Sequence, residues 1–255
     1  MNILYAILLG AIQGFTEWLP ISSSGHLVII QTLLNLQIPA EFDIVIMLGT
    51  TIALIIYFRK KIIEIISGFF KWEKDSINYM LYIIIAGILT AIIGFSFKAF
   101  FKNVFSAPII VCILLIINGI FLFIAINHKK HDQKINPKNA AIIGIAQSVA
   151  ILPGISRSGS TIGTGMLCGL KPKDAAEFSF LLGIPTMIGA SVIELGSAIN
   201  IGIGTNILLV GIISSFITGY LGIKLFMHLL EKGKLKIFAY YCIIAGLFFT
   251  ILLLI

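Results

Sequence analysis

The chain has 255 residues, 58% of them hydrophobic and only 11% charged, with a formal net charge of +7, where a soluble domain carries roughly 25% charged residues. Its mean hydropathy of +1.07 represents more apolar surface than a soluble chain of this size can bury. An ordinary cytosolic enzyme, a disordered chain and a soluble nucleic-acid binder are excluded, which leaves a polytopic membrane protein.

In chain order, the first apolar stretch covers residues 1–36 and is interrupted at Leu19-Pro20-Ile21-Ser22-Ser23-Ser24-Gly25. It lacks a basic start and runs into Gln13 and Glu17 rather than a small-residue cleavage site, so no cleavable signal peptide is expected. Each half is shorter than the roughly 20 residues a bilayer requires. Three predicted spans follow, at 40–59, 76–98 and 106–127. A second interrupted stretch, 138–170, breaks at Leu152-Pro153-Gly154-Ile155-Ser156-Arg157-Ser158-Gly159. Predicted spans at 174–197, 205–230 and 236–255 complete the chain. Acids near the starts of two spans, Glu41 after Pro39 and Asp174 with Glu177, read as helix-opening residues. Cys112, Cys168 and Cys242 lie in apolar surroundings without a CxxC and read as packing residues.

Irregular backbone at membrane depth is tolerated only where protein or a polar cavity surrounds it. Both interrupted stretches are therefore read as re-entrant helix–turn–helix hairpins. They also match one another at an offset of 134: Gln13 with Gln147, Ser22 with Ser156, Ser24 with Ser158, Gly25 with Gly159, and Leu48-Gly49 with Leu182-Gly183. One membrane domain made of two repeats, 1–134 and 135–255, follows. Each repeat holds one hairpin and three spans, and an odd span count inverts the second copy. The expected fold is thus all-α: six transmembrane helices, two re-entrant hairpins and an inverted-topology repeat. Interrupted segments in two inverted halves point to a site near the midplane.

Charge orients this arrangement. Fifteen of the 18 basic residues fall on one side, Lys98 and Lys102 fall on the other, and Arg157 sits in the second hairpin. The positive-inside rule makes the basic side cytoplasmic and puts both termini outside. The net charge is thus an orientation signal and not a nucleic-acid surface. Arg59, Lys60 and Lys61 read as interfacial anchors, and His128, His131 and His228 as solvated or interfacial residues.

The hairpin tips carry the chemistry. In each, a short helix begins after a Ser/Gly turn, and helix N-termini with serine hydroxyls suit an anion. Such serines also cap helices and such glycines permit close packing. Arg157 tips the balance toward function, because an intramembrane Arg costs about 2.5–3.5 kcal/mol at a helix centre and grips phosphate oxygens bidentately. Across the offset, Glu17 aligns with Ile151, Ser23 with Arg157 and His26 with Ser160. The first tip therefore holds the proton-transfer groups and the second the fixed cation. Glu17, Ser23, His26 and Arg157 are the candidate catalytic residues. Gln13, Ser22, Ser24, Gly25, Ser156, Ser158 and Thr161 are the candidate substrate-binding residues. A transporter of a lipid phosphate needs the anion site but no proton-transfer pair, so Glu17 with His26 favours an enzyme. A purely structural membrane protein would have no need of Arg157.

The stretch Gln13-Gly14-Phe15-Thr16-Glu17-Trp18-Leu19-Pro20-Ile21-Ser22-Ser23-Ser24-Gly25-His26 resembles the (E/Q)xxxE…SS(S/T)GH region of the bacitracin-resistance type of undecaprenyl-diphosphate phosphatase. Pro153-Gly154-Ile155-Ser156-Arg157-Ser158-Gly159-Ser160-Thr161 is similar to that family's PGxSRSxxT motif. The resemblance extends over essentially the whole chain. It implies a bacterial cell-membrane enzyme that hydrolyses undecaprenyl diphosphate to undecaprenyl phosphate and inorganic phosphate. That reaction sustains the lipid carrier of peptidoglycan synthesis and confers bacitracin resistance. It also implies a site opening outward, homodimers, and a divalent cation, Mg²⁺ or Ca²⁺, with Glu17 as its ligand. The first motif position is Gln13 rather than Glu, which removes one carboxylate from a two-carboxylate metal pair. Ser23 is the expected nucleophile, with His26 and Glu17 handling protons; water activated by His26 is the alternative.

Overall fold

A computed structural model describes residues 2–97, 107–128, 130–200 and 202–254. Among them eleven helices are present and no strand. They are α1 (Ile3–Glu17), α2 (Ser23–Leu33), α3 (Ala40–Tyr57), α4 (Arg59–Phe70), α5 (Lys74–Ser96), α6 (Pro108–Asn127), α7 (Pro137–Val149), α8 (Arg157–Leu167), α9 (Pro172–Asn200), α10 (Thr205–Glu231) and α11 (Lys236–Leu254). Six are long and apolar enough to cross a membrane: α3, α5, α6, α9 through Ile193, α10 and α11. These are the six predicted spans, with ends moved by a few residues. Lys98 and Lys102, read as lying on the less basic side, and Lys129 on the other, lie outside the described residues.

Four of the five shorter helices pair across the predicted breaks. Trp18-Leu19-Pro20-Ile21-Ser22 separates α1 from α2, and residues 150–156 separate α7 from α8. Proline ends each first helix because its ring clashes with the preceding turn and it has no N–H to give. Serine starts each second helix by capping it. The helix α4 was not among the predicted elements. It follows α3 after the single residue Phe58. Its exposed residues combine Arg59 and Lys60 with Ile63 and Phe70, so its sequence reads as a basic cluster and not as part of a uniform apolar run.

Small residues let the helices approach closely. On α1, an added Cβ at Gly14 would overlap α10 at Ser215 and Thr218. On α11, one at Gly246 would press on Cys112 and Ile116 of α6. In lipid the driving force between helices is packing and interhelical hydrogen bonding, which rewards such close contact. Ser215 Oγ, for example, donates to Ile46 O of α3 at 2.6 Å. The main buried cluster runs through Trp18, Leu54, Leu115, Phe178, Phe180 and Phe226 and lies directly beneath the two turns. Ile84, Ile88 and Ile92 on α5, and Ile213, Ile217 and Leu221 on α10, remain exposed. These rows at helical spacing are surfaces made for hydrocarbon.

Candidate active site

Ser22 is the N-cap of α2, and its φ of 66° is unusual for a residue other than glycine. Backbone strain of this kind persists only where the surroundings over-determine it, and the surroundings of Ser22 do so. Its Oγ accepts from the Gly25 N–H at 3.2 Å and from the Gly154 N–H at 3.1 Å. It lies 3.3 Å from Ile155 O, to which it donates. In the second turn, Ser156 Oγ caps α8 by accepting from the Gly159 N–H at 3.0 Å. Ser158 Oγ donates across to Leu19 O at 3.1 Å. A Cβ at Gly25 would stand 3.1 Å from the Gly154 backbone, so the turns touch main chain to main chain.

Asn118 of α6 ties both turns together from below. It is 1% exposed. Its Nδ2 donates to Pro20 O at 3.0 Å, and its Oδ1 accepts from the Ser156 N–H at 3.1 Å. One buried side chain thus satisfies a backbone acceptor in the first turn and a backbone donor in the second.

Above this joint sits the charged cluster. Gln13 and Glu17 are one helical turn apart, hence on one face of α1. Gln13 Nε2 donates to Glu17 Oε2 at 2.9 Å, and Ser23 Oγ donates to the same oxygen at 2.5 Å. Arg157 Nη2 donates to Glu17 Oε1 at 2.8 Å and lies 3.0 Å from Met187 Sδ. The Arg157 guanidinium carbon stands 4.8 Å from the Trp18 ring centroid, a desolvated cation–π contact worth about 2 kcal/mol. Side-chain exposure is 4% for Glu17 and 13% for Arg157. A pair this deep is stable only when its remaining donors and acceptors are met. One donor is not: among the described residues, Arg157 Nη1 is buried without a partner. Gly183 of α9 makes the room for it, since a Cβ there would overlap that nitrogen.

His26 faces another way. Its Nδ1 is 2.8 Å from Ser22 O, and its Nε2 is 2.8 Å from Tyr241 Oη on α11. The structure thus brings Gln13, Glu17, Ser23 and Arg157 into one hydrogen-bonded group. It uses Ser22, Gly25, Ser156 and Ser158 to join the turns, and holds His26 one turn along α2 from Ser23 without a bond to the group. Ser24 Oγ is 3.4 Å from Ser22 Oγ. Thr161 Oγ1 lies within α8 and pairs with Ser179 of α9 at 2.5 Å and with Arg157 O at 2.8 Å, so it braces the Arg157 turn.

Four contributors escaped the sequence reading: Trp18, Asn118, Gly183 and Tyr241. Asn118 carried a signal, as a lone amide within an otherwise apolar span. Trp18 sits inside the first motif. Gly183 was visible only as a repeat match, and Tyr241 gave no signal at all.

For a metal, the donor set is poor. Among the described residues no group of three His, Cys, Asp or Glu side chains could hold an ion. Both Glu17 oxygens already accept from Gln13, Ser23 and Arg157. Gln13 contributes its amide N–H₂ rather than a second carboxylate. These residues do not fit an ion caged by the protein alone.

Residues 6–248 match the family model described as bacitracin resistance protein BacA. The chain is 42% identical to a protein of Halothermothrix orenii named undecaprenyl-diphosphatase, over 99% of this chain and 98% of the relative. Proteins of the same name from Methanosphaera stadtmanae and Carboxydothermus hydrogenoformans are 40% and 41% identical. Those matches cover 99% and 100% of this chain and 98% of each relative.

Proposed function

The chain belongs to the bacitracin resistance protein BacA family, and on that premise we propose how it acts as an undecaprenyl-diphosphatase at the Glu17–Ser23–Arg157 cluster. The observation that carries the reading is the Ser23 hydroxyl bonded to a buried carboxylate, beside a guanidinium with one unpartnered nitrogen. A nucleophile within hydrogen-bond reach of its base, with a cation waiting for anionic oxygens, is an arrangement for phosphoryl transfer.

The diphosphate headgroup enters at the two turns while the polyprenyl tail stays among the spans. Arg157 Nη1 takes a terminal phosphate oxygen, and the N-termini of α2 and α8 favour the negative charge. Ser23 Oγ attacks the terminal phosphorus and its proton passes to Glu17 Oε2. The Oγ–P bond forms, the bridging P–O bond breaks, and undecaprenyl phosphate leaves. Water then attacks phospho-Ser23. His26 takes the water proton, Glu17 returns its proton to Ser23 Oγ as the Oγ–P bond breaks, inorganic phosphate departs, and His26 then releases its proton to solvent. Electrostatic stabilisation by Arg157 carries most of the rate. Rapid quench with substrate labelled in the terminal phosphate is expected to trap label on wild-type protein and none on Ser23→Ala. Turnover with no phospho-enzyme at any time point would replace the serine step by direct attack of water.

We also propose that the Mg²⁺ or Ca²⁺ implied by the resemblance arrives as counterion of the diphosphate, with at most one protein carboxylate near it, as Mg²⁺ commonly binds. Titration calorimetry of the protein alone should then give no tight ion binding. Adding a non-hydrolysable diphosphate analogue should create it, and tight binding without the analogue would refute this.

The re-entrant hairpins and the inverted repeat belong to the same reading. Support comes from α2 and α8, which are both 11 residues long and begin 134 residues apart, each capped by the matching serine. Neighbours also exchange between halves: α1 packs on α10, and α7 packs on α5. With 15 of 18 basic residues on the cytoplasmic side, both termini are extracytoplasmic and the site opens outward. Homodimer formation, implied by the resemblance, completes the proposal.

A further inference from the structure

Arg157 begins α8, yet three of the groups that fix it lie on α9. Ser179, Gly183 and Met187 stand four residues apart, hence on one face of that helix. All three are buried, and each meets a different part of the arginine. At the backbone end, Arg157 O is a carbonyl and can only accept, so Thr161 Oγ1 spends its one proton on it at 2.8 Å. Ser179 Oγ, 2.5 Å from Thr161 Oγ1, is then the donor of that pair. At the other end, Met187 Sδ lies 3.0 Å from Arg157 Nη2, the nitrogen that also holds Glu17.

Gly183 stands between these two contacts along the helix. A Cβ there would overlap Arg157 Nη1 and come within 3.0 Å of Cζ and 3.2 Å of Nη2. The nearest atoms thus all belong to one side chain, and no backbone is among them. Its repeat mate Gly49 differs: a Cβ there would meet the backbone of α10 at Ile212 O and Phe216 N. Gly49 serves close helix packing, the usual task of a glycine between spans. The room at Gly183 is taken by a guanidinium instead.

We propose that Ser179, Gly183 and Met187 are positioning residues for phosphoryl transfer, acting through Arg157. Ser179 holds the arginine backbone by way of Thr161. Met187 sets the rotation of Nη2. Gly183 keeps clear the space in which Nη1 meets the phosphate. This rests on the reading of Arg157 Nη1 as the group that takes a terminal phosphate oxygen. A donor displaced by about an ångström loses most of its effect on the rate, so the face of α9 matters although it touches no substrate.

The test uses full-length protein in nanodiscs, with phosphate release from undecaprenyl diphosphate and tryptophan fluorescence measured on the same samples. The chain has two tryptophans, so replacing the exposed Trp72 by phenylalanine leaves Trp18 as the sole emitter. The Trp18 ring centroid is 4.8 Å from the Arg157 guanidinium carbon, and its emission therefore reports where that cation sits. In this background Gly183→Ala should lower kcat about 100-fold, the scale of one misplaced group. It should also move the Trp18 emission toward that of Arg157→Ala. Met187→Leu keeps the volume and removes the sulfur, and Ser179→Ala removes one hydroxyl. Each should lower kcat about fivefold, the scale of one hydrogen bond. With Arg157→Ala already present, none of the three should cost anything further. Wild-type kcat in Gly183→Ala, an unmoved Trp18 emission, or equal losses in the Arg157→Ala background would each overturn the proposal. Should Gly183→Ala fail to fold, Met187→Leu and Ser179→Ala carry the same cycle, and full kcat in both would overturn it. If Arg157→Ala alone keeps full kcat, the reading of Arg157 fails and the positioning role fails with it. That failure is recognisable, because the Trp18 shift in Gly183→Ala would still occur.

Discussion

Arg157 divides its guanidinium between two tasks: Nη2 holds Glu17 Oε1, while Nη1 is buried with no partner among the described residues. A buried, unpaired donor costs about 1–3 kcal/mol, more when charged, and an anionic ligand is what would recover that cost. Lysine at this position would keep the charge as a single point but could not serve both directions at once. Arg157→Lys is therefore expected to lower phosphate release about 100-fold, the scale of removing one electrostatic donor. Near-normal turnover would show that the forked geometry is unimportant. Glu17 is likewise shared, accepting from three side chains. Gln13 contributes a donor where a carboxylate would repel it, so this chain's first motif residue stabilises the charge on Glu17 and does not add a second one.

At the scale of elements, the site is a joint between two helix pairs, and Asn118 is its pin. Leucine in its place would strand the Ser156 N–H and leave Pro20 O only the weak donor Cys242 Sγ at 3.5 Å. The expected loss is about 1–3 kcal/mol for a buried unsatisfied group. Asn118→Leu should lower the thermal midpoint in detergent by several degrees and reduce kcat, because the two turns lose their common support. A variant as stable and active as wild type would mean that the serine cross-links suffice. The serines carry both senses given to them in the sequence. Ser22 and Ser156 are caps and Ser158 a cross-link, which leaves Ser23 as the hydroxyl in the first turn aimed at a carboxylate.

For the whole molecule, the distribution of charge makes the testable statement. In a background with Cys112, Cys168 and Cys242 replaced by alanine, Asn2→Cys should react with an impermeant maleimide from outside the cell. Lys134→Cys should react only after the membrane is opened. The reverse pattern would invert the topology and turn the site toward the cytoplasm. Between α6 and α7, the Gln133 N–H donates to Gly169 O at 3.0 Å and His131 Nδ1 lies 2.9 Å from Leu170 O. His131 is thus a partner in loop packing, where the sequence suggested only a solvated residue. Lys61 of α4 reaches Glu177 of α9 at 3.6 Å, so a residue read as a plain interfacial anchor also links two helices.

The six spans, the two breaks and the cluster members Gln13, Glu17, Ser23 and Arg157 were all legible in the sequence. Each rests on local rules: run length against bilayer thickness, proline and serine as helix punctuation, and the cost of a charge in an apolar run. Those rules act on neighbours along the chain, and a membrane leaves few exceptions to them. The tertiary structure alone decided which groups pair. Glu17 and Arg157 are 140 residues apart, Asn118 and Ser156 38, and His26 and Tyr241 215. The sequence offered both His26 and Glu17 as proton-handling partners of Ser23; the fold bonds Ser23 to Glu17 and His26 to Tyr241. The reason is directional: a side chain's partner depends on which way its helix is rotated and which helix packs against that face. In hydrocarbon that choice is made by close packing and by the need to satisfy every buried polar atom, conditions met only when the whole bundle is assembled.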